Sequence, residues 1–172
     1  MIRRIFWNIY VMPLECLVLM MLLATVLWPF TKKAFGKKCI WRCGNLMVSI
    51  CMILAIHAVT LLSRNSEGVE LILNPFHSFL EAKTQPEIYR SMLMNVFLFF
   101  PLGLTLPFAL PEKWNRKVLP TIAFAFTLSF VIEFLQFHYH LGRTETDDVI
   151  CNTLGAAIGT LSYTLERKFF TK

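Results

Sequence analysis

Residues 89–110 read YRSMLMNVFLFFPLGLTLPFAL, and this stretch decides the class of fold. After Arg90 it holds no charged side chain. An α-helix rises about 1.5 Å per residue, so the stretch spans about 33 Å, which is enough to cross the hydrocarbon core of a bilayer. Because Pro101 and Pro107 cannot donate backbone hydrogen bonds, we expect a kinked transmembrane helix that lines a small polar cavity.

Four further apolar runs surround this stretch, at residues 9–30, 45–62, 118–137 and 147–165. The 172-residue chain is 56% apolar and 16% charged, whereas ordinary globular domains are about 45–50% apolar and about 25% charged. A core of this size cannot hide so many apolar side chains from water, which argues against a soluble enzyme. We predict an all-α polytopic membrane helix bundle of about five transmembrane helices, with residues 71–79 as a short re-entrant or interfacial segment before the third.

The positions of the basic residues predict the orientation of this bundle. Five spans put the chain ends on opposite sides of the membrane, and 11 of the 17 basic residues then share a side with the C-terminus. Arg3 and Arg4 lie on the other side. Because cytoplasmic loops carry the excess of Lys and Arg, we expect a cytoplasmic C-terminus. The net charge of +6 sits mostly in these short loops, so we expect no nucleic-acid partner.

The sequence does not indicate a metal or cofactor site. Its five cysteines are odd in number and irregularly spaced, which gives no disulfide framework. Cys39 and Cys43 lack the spacing of zinc ribbons, and we interpret them as free thiols. His138 and His140 lie close to several acids and leave a zinc site open as an alternative, although nothing fixes the remaining ligands. We expect neither a metal nor a cofactor.

Each apolar run carries one polar side chain at a similar membrane depth. Each run has one end on the side of the membrane where the N-terminus lies. Each of these side chains lies four to six residues from that end, which is about 6–9 Å of helix. The residues are Glu15, His57, Asn95, Glu133 and Asn152. Ionisable and amide groups inside a span usually face a protein interior or a wet cavity. For Glu15 and His57 we favour a structural role, with the side chain reaching the headgroups.

In the last three runs, helical spacing places polar and small residues on shared faces. Glu133 and Gln136 are three residues apart and share a face. Asn95 shares a face with Phe99 and Gly103 in the same way. These faces predict that the polar groups of neighbouring helices meet.

A small-xxx-small face in the fifth run predicts close helix packing. Asp148 and Asn152 are four residues apart, and their face continues through Gly155 and Gly159. Such a face lets a neighbouring helix come close and sets Asp148 and Asn152 against that neighbour. The same face offers a route to an oligomer.

The loop between the fourth and fifth runs carries the densest charge cluster on the side of the membrane where the N-terminus lies. Arg143 can pair there with Glu133, Glu145 or Asp148, or can hold a phosphate or carboxylate in a bidentate fork. Asp147 and Asp148 begin the fifth helix, where carboxylates suit the positive end of the helix dipole, so helix capping explains them equally well.

Four motifs in the second half of the chain follow one another in a recognisable order. They are Asn74-Pro75-Phe76, NVFLFFPLG at 95–103, EFLQF at 133–137 and GRTETDDVICNTLGAAIG at 142–159. Together they resemble the VanZ-like family of bacterial membrane proteins, over roughly residues 71–161. Glu145 stands where that family more usually has Asp, which keeps the charge and lengthens the side chain by a methylene.

This resemblance implies a small multi-helix protein of the bacterial cell envelope, located in the cytoplasmic membrane. It also implies an association with lowered susceptibility to teicoplanin, a lipoglycopeptide that binds peptidoglycan precursors. We divide the chain into an N-terminal two-span region at 1–70, a VanZ-like three-span core at 71–165 and a basic cytoplasmic tail at 166–172. The core contains the candidate structural residues, namely Pro75, Phe76, Pro101, Gly103, Gly142, Gly155 and Gly159.

The candidate ligand-binding residues are Asn95, Glu133, Gln136, Arg143, Glu145, Asp148 and Asn152. With membrane lipids around the protein, we expect these residues to hold a polar headgroup in the outer leaflet. A lipid-linked peptidoglycan precursor and the lipoglycopeptide itself are the two candidates. An intramembrane enzyme acting on a lipid or lipid-linked substrate is the alternative, with Glu133 as general base beside Arg143 and Asp148. We favour binding, because the sequence assembles no nucleophile–base motif, metal signature or nucleotide loop; a channel or transporter subunit is a third alternative.

Overall fold

The computed structural model describes residues 13–35, 37–62, 69–85, 87–114 and 116–170. In chain order its elements are α1 (Leu14–Phe35), α2 (Lys38–His57) with a π-helical turn (Ala58–Leu62), β1 (Val69–Ile72), α3 (His77–Glu81), α4 (Glu87–Ala109), α5 (Val118–His138), β2 (Gly142–Glu145), α6 (Thr146–Gly159) and α7 (Leu161–Phe170). Arg3, Arg4, the start of the first apolar run and Lys172 lie outside these ranges.

Four of the described helices are long and apolar enough to cross a membrane, namely α1, α2 with its π-helical turn, α4 and α5. The predicted all-α polytopic membrane bundle is therefore confirmed. The fifth apolar run differs in detail, because it is divided at Thr160 between α6 and the shorter α7. With 14 residues, α6 is about 21 Å long, which is shorter than a hydrocarbon core of about 30 Å.

Helix α4 lies at the centre of the bundle. In its apolar segment 72% of the residues are buried, against 17–28% in the other three long helices. Phe99 and Leu102 of α4 are fully buried in the core, whereas Met47 on α2 and Leu119 on α5 are exposed and face outward. The outer helices thus present the apolar surface that a bilayer requires. Helix α4 runs unbroken through its two prolines.

Helices α4 and α6 pack backbone against backbone, and glycines make this possible. A Cβ atom built at Gly103 would lie 2.0 Å from the Ala156 carbonyl oxygen, and one at Gly155 would lie 2.0 Å from that of Val96. A Cβ at Gly159 would meet Phe100 O at 2.4 Å. The predicted close packing is confirmed, and α4 of the same chain fills the Gly155/Gly159 face. A second copy would therefore have to dock on another face.

A two-stranded parallel ladder closes the end of the bundle that contains residues 69–85. Strands β1 and β2 pair with Val69 opposite Gly142 and with Glu70 opposite Arg143. The segment predicted to be re-entrant or interfacial, 71–79, thus forms the end of β1, a turn and the start of α3. We call this end of the molecule the motif end, because it contains the Asn74-Pro75-Phe76 motif and the beginning of the 142–159 motif, which forms β2 and the start of α6.

Candidate functional site

Two hydrogen bonds connect four of the predicted site residues at the motif end. The side-chain amide of Asn95 on α4 donates from Nδ2 to Oδ1 of Asp148 on α6, at 2.6 Å. The backbone N–H of Glu145 donates to Oε2 of Glu133 at 3.1 Å. Glu133 is only 6% exposed. Asn95 of α4 therefore contacts α6, and Glu133 of α5 contacts the last residue of β2.

Arg143 is held among carboxylates. Its Nη2 donates to Oε2 of Glu81 at 2.7 Å, and its Nε lies 2.7 Å from Oε1 of Glu145 and 3.7 Å from Oε2 of Glu70. Burial lowers the pKa of Arg143, but the hydrogen bond to Glu81 and the surrounding acids outweigh burial and raise it. Of the predicted partners Glu145 is found, whereas Glu81 and Glu70 were missed.

This arrangement gives Arg143 a structural role, because its pairing with Glu81 and Glu145 ties α3 to β2. Its expected binding of an anionic ligand group stays a prediction. The extra methylene of Glu145 is used here, because its carboxylate contacts both Arg143 and the hydroxyl of Ser78. In the sequence, the one sign of this carboxylate cluster was that several acidic residues lie near Arg143 in the loop before α6.

Asp147 caps a helix, but a different one from its own. Its carboxylate accepts the backbone N–H of Phe76 at 2.6 Å and that of Ser78 at 2.7 Å, at the start of α3. Phe76 has φ +65°, a left-handed conformation that is uncommon for a large side chain. Asp147 is 2% exposed. The Asn74-Pro75-Phe76 motif thus makes a turn whose free amides are closed by a carboxylate far along the chain.

Asn152 and Gln136 serve contacts between helices rather than the Arg143 cluster. Nδ2 of Asn152 donates to Oγ of Ser129 on α5 at 2.9 Å, and Nε2 of Gln136 donates to the carbonyl of Thr60 at 3.0 Å. Within the described ranges, Oδ1 of Asn152 and Oε1 of Gln136 are buried without a hydrogen-bond partner. The expected part of both residues in ligand binding stays a prediction.

The other singled-out polar residues lie apart from the site. His57 contacts the carbonyl of Ile53 in its own helix at 2.9 Å, and Glu15 is exposed. His138 stacks on Phe134, while His140 contacts the carbonyl of His138. Among the residues the structure describes, no three His, Cys, Asp or Glu side chains form a group that could hold a metal ion.

A cleft of about 330 Å³ lies between β1, α5, β2 and the start of α6, and Glu133 and Glu145 line it. The other lining residues are mainly apolar: Leu71, Leu73, Phe126, Phe130, Phe134, Phe137, Thr144, Thr146 and Val149. Phe130 and Phe134 are each 58% exposed on the outer face of α5. The cleft therefore combines apolar walls at the bilayer side with carboxylates from α5 and β2.

The chain is similar in sequence to known proteins. The VanZ/LLP1 family profile matches residues 43–167. "Protein VanZ" from Enterococcus faecium is 39% identical over 80 residues, which are 46% of this chain and 48% of that protein. The chain thus spans about half the length of the curated relative that it matches, and no solved structure matches it. Because the profile covers most of the sequence, from α2 to α7, the chain belongs to the VanZ/LLP1 family.

Proposed function

We propose that this VanZ-like envelope protein binds an amphiphile in the outer leaflet of the membrane, and that this binding lowers susceptibility to teicoplanin. The ligand has an apolar chain and a polar part rich in hydrogen-bond donors. A lipid-linked peptidoglycan precursor and the lipoglycopeptide itself both fit that description. The observation that carries the proposal is the cleft, in which apolar walls lead to Glu133 and Glu145.

The dimensions and chemistry of the cleft favour such a ligand. Its volume of about 330 Å³ falls within the range of about 300–1,000 Å³ that is usual for small-molecule sites. Exposed phenylalanines on α5 offer a surface for an acyl or isoprenoid chain. A carboxylate has about four acceptor positions, so Glu133 and Glu145 can accept from sugar hydroxyls and peptide amides of a ligand in addition to their partners within the protein. Their negative charge disfavours a bare phosphate.

The orientation of the protein supports an outer-leaflet site. The excess of basic residues near α7 and the loops on its side favours a cytoplasmic C-terminus. The cleft lies at the opposite end of the bundle and would then face the outside, where wall precursors are used and where teicoplanin arrives.

The test is a pair of variants that change the cleft without removing a helix. Val149→Trp fills the cleft, and Glu133→Gln replaces its buried carboxyl group with an amide. Leu154→Trp is the matched control, because Leu154 lies on α6 but is 49% exposed outside the cleft. In cells that depend on this protein for resistance, we expect the two cleft variants to restore teicoplanin susceptibility at normal expression and the control to leave it unchanged. Unaltered susceptibility in both cleft variants would refute the proposal.

A second experiment separates the two ligands. Purified protein is titrated in detergent with teicoplanin and with a lipid-linked precursor in parallel, while its tryptophan fluorescence is followed. Saturable binding of the precursor alone, abolished in Val149→Trp, identifies the precursor as the ligand. Saturable binding of teicoplanin alone identifies the antibiotic.

The position of Glu133 also supports a second candidate function, that of an intramembrane enzyme. Glu133 is 6% exposed and borders an apolar cleft, which suits a general base acting on a lipid or lipid-linked substrate. Incubation of the purified protein with envelope lipids tests this function. A modified product that Glu133→Gln fails to make would favour it over simple binding.

A further inference from the structure

A second cavity lies at the opposite end of the bundle, where α1, α2, α4, α5 and α7 come together. Its volume is about 250 Å³, and five basic side chains line it. We call it the basic pocket; its basic residues are Lys32, Lys38, Arg42, Lys117 and Arg167. Neither the motif-end cleft nor the polar cluster around Arg143 includes any of these residues.

The pocket has a net positive charge. Its acidic lining residues are Glu112 and Glu166. Glu166 is 5% exposed and is already engaged by Lys32, whose Nζ lies 2.5 Å from its Oε1. Five basic side chains against two acidic ones leave an excess of three positive charges, which favours an anionic occupant.

Lys117 and Arg42 place donors inside this pocket. Lys117 is 7% exposed, its Nζ donates to the carbonyl of Leu110 at 3.0 Å, and the same ammonium lies 5.6 Å from the ring centroid of Tyr163. Burial lowers the pKa of Lys117. Arg42 uses Nε to donate to Ala109 O at 3.0 Å, and within the described ranges neither of its Nη groups makes a hydrogen bond. An anion in the pocket would supply the acceptors that a buried ammonium and a guanidinium need.

The position of the pocket identifies the source of the anion. The apolar segments of the four long helices end beside it, at Lys32, Lys38, Ala109 and Val118. Its aromatic lining residues are Trp41, Phe108, Trp114 and Tyr163. Tryptophan and tyrosine concentrate at the membrane–water interface, at the level of the headgroups. The basic pocket therefore lies where phospholipid phosphates lie, and it opens between helices rather than on a flat surface.

We infer that the basic pocket binds the phosphate of an anionic phospholipid headgroup, with Arg42 and Lys117 as its main ligands. Basic pockets between transmembrane helices are a known means of lipid recognition. The inference concerns a different end of the molecule from the proposed teicoplanin-related function, and each can fail without the other.

The test measures lipid binding by native mass spectrometry of the purified protein. The probes are phosphatidylglycerol, which is anionic, and phosphatidylcholine, which is zwitterionic. We expect phosphatidylglycerol to bind more tightly, and each lost pocket charge, in Lys38→Gln, Arg42→Gln or Lys117→Gln, to weaken that binding about fivefold. Lys83→Gln makes the same charge change in an exposed residue at the motif end and should leave the affinity unaltered.

Two features of the experiment ensure that it can refute the inference. Lys38 and Arg42 are exposed, so their variants carry the test even if Lys117→Gln fails to fold. Inorganic phosphate is added at increasing concentration to distinguish a lipid headgroup from a soluble phosphate. The inference is overturned by equal phosphatidylglycerol affinity in wild type, Lys38→Gln and Arg42→Gln, by equal affinity for the two lipids, or by an affinity for inorganic phosphate that equals or exceeds the affinity for phosphatidylglycerol.

Discussion

Asn95 on α4 and Asp148 on α6 are joined by a 2.6 Å hydrogen bond next to the point where the two backbones touch. Replacing Asn95 with Ala removes the donor from a half-buried carboxylate, so we expect the free energy of unfolding to fall by about 1–3 kcal/mol. Denaturant titration in detergent micelles measures the change. Ser91→Ala, at an exposed position of α4, is the control and should have little effect. Equal unfolding free energies for both variants would show that the bond contributes nothing.

A glycine in the α4–α6 contact and a glycine in an open position of α2 predict opposite effects of an alanine substitution on stability. At Gly155 an alanine Cβ would lie 2.0 Å from Val96 O, so the helices must separate, and we expect a loss of about 1–3 kcal/mol or more. At Gly44, inside α2, nothing lies within 4 Å of such a Cβ, and alanine should add about 0.5–1 kcal/mol of helix stability. Thermal melting of Gly155→Ala and Gly44→Ala compares them directly. A Gly155→Ala protein as stable as wild type would contradict the close contact.

The Arg143–Glu81 pair predicts a pH dependence. The hydrogen bond from Arg143 lowers the pKa of Glu81 below its ordinary value of 4.5. The contribution of the pair is therefore complete above that ordinary value, and it is lost as the pH falls through the lower pKa of the folded state. We expect acidification to reduce the melting temperature of the wild type more than that of Glu81→Gln. Glu87→Gln, an exposed glutamate at the start of α4, should keep the wild-type pH profile; a profile unchanged by Glu81→Gln would argue against the pair.

Asp147 predicts how firmly the turn before α3 is held. Asp147→Ala leaves the N–H groups of Phe76 and Ser78 without their acceptor, and a hydrogen bond to a charged group contributes about 1.5–3 kcal/mol. We expect protease to cut residues 69–85 faster in this variant. Asp147→Asn keeps one acceptor oxygen and should give an intermediate rate. If Asp147→Ala were cut no faster than wild type, the carboxylate would not be what holds the turn.

The long helices were predictable from the sequence because their signal is local. Residues 89–110 and the runs around them are apolar over the length of a bilayer, and this property alone identifies α1, α2, α4 and α5. The close packing of α4 and α6 was predictable too, because the spacing of Gly155 and Gly159 places both on one face.

The hydrogen-bond partners of the polar residues were less predictable. Helical spacing shows which residues share a helix face, but it does not show which element packs against that face. Glu133 and Gln136 share a face, yet Glu133 accepts from β2 while Gln136 donates to Thr60. Strands β1 and β2 have four residues each and pair across most of the chain, so no local pattern indicates them. Asp147 looked like the cap of its own helix and closes α3 instead.

The ladder between β1 and β2 has a consequence for biogenesis. Residues 69–81 leave the ribosome long before Gly142–Glu145 and Asp147, so they have neither a pairing strand nor a capping carboxylate until α5 has been made. A nascent chain that stopped after α5 would already have the four long apolar helices found among the described residues but would lack the partners of β1 and α3. Membrane insertion of the long helices and completion of the motif end are therefore separate events, and the second depends on residues that are synthesised after α5.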